Sequence, residues 1–286
     1  MLLSLQHYFH NMIAIGKYNK LRAAAKNSQG LSLTDGENEV LLPFTEVPRG
    51  LELGDDVDAF VYLNKDGNTV ATLKDVLATA DEFALLTVVS VNDDGAFVNI
   101  GVDKDVFIPR REQKKPMELG ESYVVFVYLD DQSNRLLASS KVDDFVAHEG
   151  FDFEEGDAVD LLIVDKSDLG YNAIINDEFI GLLYHNEVFS VVEPGQRTTG
   201  WIKSIRVDGK IDLTLQPSGF GHILETKDYI LEELRIVGEI NLGDKSTPEE
   251  IYNRFQVSKS AFKKAIGGLY KERLIILSDH QIKLVK

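Results

Sequence analysis

Three times along this chain an apolar stretch runs through a turn glycine into an alternating strand: Leu53-Gly54-Asp55 to Leu63, Leu119-Gly120-Glu121 to Leu129, and Pro194-Gly195-Gln196 to Ile202. A strand-turn unit that returns about every 70 residues cannot belong to one large core, and it predicts small β domains in series. The period of two puts Val57, Ala59, Val61 and Leu63 on the inward face of the first copy. Tyr123, Val125, Val127 and Leu129 take that face in the second, and Thr198, Gly200 and Ile202 begin it in the third. Phe60, Phe126 and Trp201 share the opposite face, where they either stack on a ligand or fill junctions between domains; junctions are the expectation.

Units of this size suit five-stranded barrels better than sandwiches. In the second copy Leu86 to Val91 reads as a strand and Asn92-Asp93-Asp94-Gly95 as a hairpin turn. Strands over Ala96 to Ile100, Val106 to Ile108, Val124 to Leu129 and Arg135 to Ser139 follow. The prolines fall at matching boundaries: Pro43 and Pro109 end equivalent strands, Pro48, Pro116 and Pro194 precede the glycine turns, Pro217 closes the third barrel and Pro248 opens a helix.

From Thr226 the period becomes helical. Tyr229, Ile230, Leu234 and Val237 form one apolar face, Thr247-Pro248-Glu249-Glu250 caps a second helix, and Ser258 starts a third through Phe262, Ala265, Ile266 and Leu269. Leu274 to Leu277 and Gln281 to Val285 form a hairpin across Ser278-Asp279-His280, which completes a winged helix-turn-helix. The expected fold class is therefore multidomain. Three all-β five-stranded oligonucleotide-binding (OB) barrels over 1–75, 76–147 and 148–218 precede an α+β winged helix over 219–286.

Cysteine is absent, which excludes disulfides, thiolate metal sites and a cysteine nucleophile and fits a reducing compartment. No apolar run reaches the length of a membrane span. Met1 to Met12 fits a secretory signal poorly and is open between a capping helix, a tail and sequence ahead of a start at Met12. The net charge of −17 is uneven: residues 226–286 hold eleven basic and nine acidic residues, so the acidity lies in the barrels. A polyanion would then be held only at local basic patches.

The second copy contains Gly95-Ala96-Phe97-Val98-Asn99-Ile100-Gly101 followed by Val106-Phe107-Ile108-Pro109, and the third contains Gly181-Leu182-Leu183-Tyr184-His185-Asn186-Glu187. Both resemble the ribosomal S-one motif, an OB barrel. With the stretch from Asp244 to Gly268, which includes Lys245-Ser246-Thr247-Pro248-Glu249-Glu250 and Ser258 to Gly268, residues 12 to 286 resemble the bacterial conserved virulence factor B family. That resemblance implies a cytoplasmic, non-enzymatic RNA-binding regulator with no cofactor, acting after transcription and on virulence genes among others. It also implies that the second-strand aromatic stacks a base. Here only Phe97 keeps it, since Ser32 and Asn172 take its place; the later histidine column reads Pro43, Pro109 and Tyr184.

The candidate nucleic-acid contacts are accordingly Phe97, Tyr184 and His185 for bases. Arg110, Arg111, Lys114 and Lys115 after the third strand of the second barrel, and Lys259, Lys263, Lys264, Lys271 and Arg273 on the third helix, are those for phosphates. Single-stranded RNA is the expected partner, with ribosome or RNA polymerase contact in addition and no membrane. An acidic protein-docking scaffold and a duplex-DNA transcription factor are the alternatives. Enzymatic signals fail: Gly238 and Gly243 have phosphate-loop spacing, but Asp244 stands where lysine is needed. The Asp-Gly pairs at 35, 66, 94 and 208 are hairpin turns without a calcium-loop ligand series, and the six histidines show no triad order.

Overall fold

The computed structural model describes residues 13–185, 188, 191–216, 220–255 and 257–285, with the backbone alone over 220–225. The readings placed on Met1 to Met12, on Asn186-Glu187 and on Pro217 fall outside these residues. The chain forms two compact units that divide between Phe145 and Val146.

The first unit holds two closed barrels. β1 (Tyr18–Lys26), β2 (Gly30–Thr34), β3 (Glu39–Pro43), β4 (Asp56–Leu63) and β5 (Thr69–Thr72) close in the order β1-β2-β3-β5-β4. β6 (Glu82–Val91), β7 (Gly95–Val98), β8 (Val106–Pro109), β9 (Ser122–Asp130) and β10 (Arg135–Ser139) repeat that circuit. The second unit opens with the third copy: β11 (Ala158–Lys166), β12 (Gly170–Ile175), β13 (Phe179–Tyr184), β14 (Arg197–Ile205) and β15 (Ile211–Thr214). In each barrel the first strand shifts register at one place, between Ala23 and Ala25, Val88 and Ser90, and Ile163 and Asp165. A bulge there bends the strand so that a five-stranded sheet can close on itself. The expected start of β6 at Leu86 comes four residues late, because Glu82 to Leu85 pair with β9 although Leu85 is exposed and their alternation is weak.

One glycine column explains why the second and third strands approach so closely. A Cβ on Gly30, Gly95 or Gly170 would lie 2.0, 2.2 or 2.1 Å from the carbonyl oxygen of Leu42, Ile108 or Leu183. Only hydrogen fits at that distance. The register then sets Gly30 opposite Pro43, Gly95 opposite Pro109 and Gly170 opposite Tyr184, as the motif alignment requires.

Within the first unit the two barrels share packing. Phe60 is fully buried and, with Tyr62 and Val70, enters the core cluster of the second barrel. Its ring sits 5.6 Å from Tyr18 and 6.0 Å from Tyr62. One backbone bond and one ion pair add to this: Ala80 N–H donates to Gly16 O at 2.8 Å, and the Lys17 side chain pairs with Asp81 at 3.0 Å. Phe126 stacks on Phe145 at 4.5 Å and tilts against Phe83 at 4.8 Å. The outward aromatics at 60 and 126 are thus packing groups, and Trp201 is half-buried on β14.

The second unit ends in a winged helix. α1 (Phe220–Val237), α2 (Pro248–Phe255) and α3 (Lys259–Lys271) pack on a sheet ordered β16 (Glu239–Ile240), β18 (Ile282–Leu284), β17 (Ile275–Leu277). Thr247 and Glu250 form a reciprocal capping box on α2, with Thr247 N–H donating to Glu250 Oε2 at 2.7 Å and Glu250 N–H to Thr247 Oγ1 at 3.2 Å. Ser258 caps α3 through Ala261 N–H at 3.0 Å. The apolar face expected for α1 is corrected: Thr226, Ile230, Leu231 and Leu234 are buried, whereas Tyr229 and Val237 are exposed. At about 100° per residue the stripe through Ile230 and Leu234 runs to Thr226 and leaves Tyr229 about 100° to one side, whereas Val237 lies on the stripe by angle but is the last residue of the helix.

Candidate nucleic-acid interface

On the second barrel the pairings Phe97 to Phe107 and Phe107 to Leu137 set three apolar side chains side by side across β7, β8 and β10. The two rings lie 4.9 Å apart at 38°. Neither is fully buried, since the strands that carry them face outward at these positions. They floor a cleft of about 280 Å³, whose walls include Ile100, Val102, Lys104 and Arg135. Two carboxylates, Asp94 and Asp105, also line it. Burial, reinforced by Arg135, pushes the Lys104 ammonium below the usual lysine range. This is an apolar shelf with charge at its edges, the arrangement that accepts the π-face of an unpaired base.

The same positions in the other barrels lack that shelf. In the first, Ser32, Leu41 and Val70 replace Phe97, Phe107 and Leu137, and Ser32 donates to Glu39 at 2.5 Å. In the third, Asn172 donates to Asp165 at 2.6 Å beside Leu182 and Asp212. Tyr184 is engaged by Arg206, which lies over its ring at 5.8 Å, donates to its hydroxyl and pairs with Asp212 at 2.9 Å. His185 is exposed, its Nε2 3.1 Å from Ser167 O, with its ring edge-on to Tyr171.

The four loop cations of the second barrel have different neighbours. Arg110 N–H donates to Asp94 O at 2.8 Å, which sets Arg110 beside the turn bordering the cleft. Arg111 pairs with Glu112 at 3.5 Å, Lys114 N–H donates to Ser140 Oγ at 2.9 Å, and Lys115 lies over the Tyr123 ring at 5.9 Å. Lys104 and Arg135, which do line the cleft, come from segments that only the barrel closure unites. Phe107 was in reach of sequence reasoning, because the pairing of Gly95 with Pro109 already places it beside Phe97.

On the winged helix five of the basic side chains are paired with acids: Lys227 with Glu272, Lys245 with Asp279, Arg254 with Glu233, Lys263 with Asp244 and Lys283 with Glu239. The net positive charge of this domain is therefore carried locally by a few groups. Lys259, Lys264, Lys271 and Arg273 form no ion pair among the described residues. Lys264 and Lys271 are seven apart and share the ridge facing away from Phe262, Ile266 and Leu269. Arg273 follows α3 with φ of 62°, in the left-handed region where glycine usually closes a helix. The helix N-terminus is tied to the third barrel's end, since Ser258 N–H donates to Gln216 Oε1 at 2.8 Å.

Comparison with known proteins agrees with this anatomy. Residues 15–74 and 82–141 match the S1 domain, which is the ribosomal S-one motif, and residues 228–284 match the CvfB-like winged helix domain. The chain is 29% identical over 85% of its length, and 84% of the relative's, to "Uncharacterized protein YitL" of Bacillus subtilis. It is 25% identical over 82% of both chains to "Conserved virulence factor B" of Staphylococcus epidermidis. Among solved structures, a multidomain protein with nucleic acid binding domains from Streptococcus pneumoniae covers 95% of this chain and 99% of its own at 22% identity, with a TM-score of 0.43. No described helix is long and apolar enough to cross a membrane.

Proposed function

From a chain with the S1 domains and CvfB-like winged helix of the conserved virulence factor B family, we propose that single-stranded RNA is the ligand and that binding regulates expression after transcription, virulence genes included. The domains are those of nucleic-acid-binding regulatory proteins rather than of a catalytic family. The observation that carries the single-strand reading is the Phe97–Phe107 shelf, because a single strand can splay a base onto a ring pair and a duplex cannot. Arg110, beside the turn that borders the cleft, serves a flanking phosphate. Lys259, Lys264, Lys271 and Arg273 give a second anchor, so two weak sites combine through effective concentration.

The test is a titration of the full chain with single-stranded RNA, single-stranded DNA and duplex DNA of one sequence, at several salt concentrations. Tightest binding to the RNA strand is expected, with a steep fall in log K against log salt. Preference for duplex DNA would promote the transcription-factor alternative. Failure to bind any of the three, with capture of ribosomal or polymerase subunits instead, would make the chain an acidic docking scaffold.

A further inference from the structure

The first barrel has lost the aromatic at its own ligand face, yet two of its residues line the cleft of the second. Tyr62 and Leu63, at the end of β4, border the cavity that Phe97, Phe107 and Leu137 floor. The segment joining β7 to β8 is fastened to the same edge. Tyr62 Oη donates to Asp103 Oδ1 at 2.7 Å, Lys104 Nζ donates to Asn64 O at 3.1 Å, and Leu77 N–H donates to Ile100 O at 2.8 Å. Neither barrel alone would have this cavity: the first lacks the shelf, and the second lacks the wall and the ties that hold its lining segment.

The lining also decides what can enter. Asp94 and Asp105 offset Lys104 and Arg135, so the cleft has no net charge to attract a phosphate, while most of its surface is apolar. Its volume of about 280 Å³ lies just below the roughly 300 Å³ at which pockets for drug-sized ligands begin. A flat, neutral heterocycle fits these terms, with its sugar and phosphate outside.

We propose that the first barrel acts as one wall of the second barrel's site, and that the composite cleft takes a single unstacked nucleobase from a strand, enclosed by Phe97 and Phe107 on one barrel and Tyr62 and Leu63 on the other. The proposal rests on the RNA reading above but adds a residue set and a stoichiometry to it. It also gives the aromatic-free barrel a role, as a specificity wall rather than an independent binder. Tyr62 is a positioning residue, since its hydroxyl is committed to Asp103.

The experiment uses the full chain and a fluorescein-labelled twelve-nucleotide oligo(A) RNA, read by fluorescence anisotropy, with thermal melting of each variant alongside. Leu63→Trp should fill the cleft and weaken binding at least fivefold, and Leu63→Ala, which removes wall contact, should weaken it severalfold. Tyr62→Phe should weaken it two- to threefold through the freed 99–105 segment. Phe97→Ala tests the parent reading, and combining it with Leu63→Trp should cost no more than the worse single change, because both act on one cavity. If Phe97→Ala weakens binding but neither Leu63 variant does, the wall is refuted and the shelf stands. If no variant weakens it, the shelf falls as well. Adenosine monophosphate should compete only at concentrations far above those of the oligonucleotide; competition at equal nucleotide concentration would make the cleft a mononucleotide pocket and overturn the strand.

Discussion

Lys263 and Lys264 are adjacent in sequence but differ in electrostatic standing, and separating them gives a sharp test of the winged-helix anchor. Lys263 Nζ is 2.8 Å from Asp244 Oδ1, with both side chains a little under half exposed. A half-exposed pair of this kind contributes about 0.2–1 kcal/mol to stability. Reversing Lys263 removes that and sets two carboxylates together, whereas reversing the exposed, ion-pair-free Lys264 should change stability by less than about 0.5 kcal/mol. Their effects on RNA should run the other way. Each phosphate contact on a single strand adds about 0.7 to the slope of log K against log salt. Lys264→Glu should remove one such increment and lower affinity about tenfold, which is about 1.4 kcal/mol. Lys263→Glu should do less, because its charge is already offset. The informative variant is Asp244→Asn, which releases Lys263: it should cost a few tenths of a kcal/mol in a urea melt yet tighten RNA binding and steepen the salt slope. Anisotropy titrations at four salt concentrations would read both quantities. If Asp244→Asn leaves affinity and slope unchanged while Lys264→Glu also has no effect, this helix face is not an anchor.

Two glycines should respond in opposite directions: Gly95→Ala would press a methyl against Ile108 O and should lower the melting temperature sharply, while Gly267, mid-helix with open space around it, should gain about 0.5–1 kcal/mol on change to alanine. Equal shifts in the two melts would refute the close-approach reading. Phe60→Ala should cost about 3–5 kcal/mol and should destabilise both barrels of the first unit in one calorimetric transition, because the ring fills their shared packing; two separated transitions in the unaltered protein would contradict this. Lys245 and Thr247 hold the carboxyls of Asp279 and Glu250 below the usual range. Folded pKa values that are depressed give stability that is fully present above the unfolded value near 4 and is lost as pH falls from there through the lower folded value. Lys245→Met should therefore flatten the fall of melting temperature between about pH 4.5 and 3, and an unchanged profile would remove that pair from the acid response.

The barrels were legible because their constraints are local: a period of two, turn glycines, prolines at strand ends, and a motif that fixes Gly95 opposite Pro109. Boundaries were less so. The two-residue strand Glu239–Ile240 has no pattern of its own and exists through pairing with Lys283 and Ile282. Phe97 was found because the motif marks it, but Lys104, Arg135, Tyr62 and Leu63 are brought to it by barrel closure and by packing between barrels, which leave no periodic trace. The charge patches were legible only in part. Sequence shows Glu112 next to Arg111 but leaves Lys263 on an open basic face, and only the fold brings Asp244, nineteen residues away, beside it.

The glycine column at 30, 95 and 170 separates two demands that often fall on the same residue. Closing the barrel depends on the glycine, where nothing larger fits, and ligand contact depends on the residue two positions later, whose side chain points outward. Among the three copies the first position never varies and the second reads Ser32, Phe97 and Asn172. A duplicated barrel of this design can abandon its ligand without endangering its own folding. That freedom lets one chain hold a copy with an aromatic shelf beside a copy without one that lends residues to its neighbour's cleft.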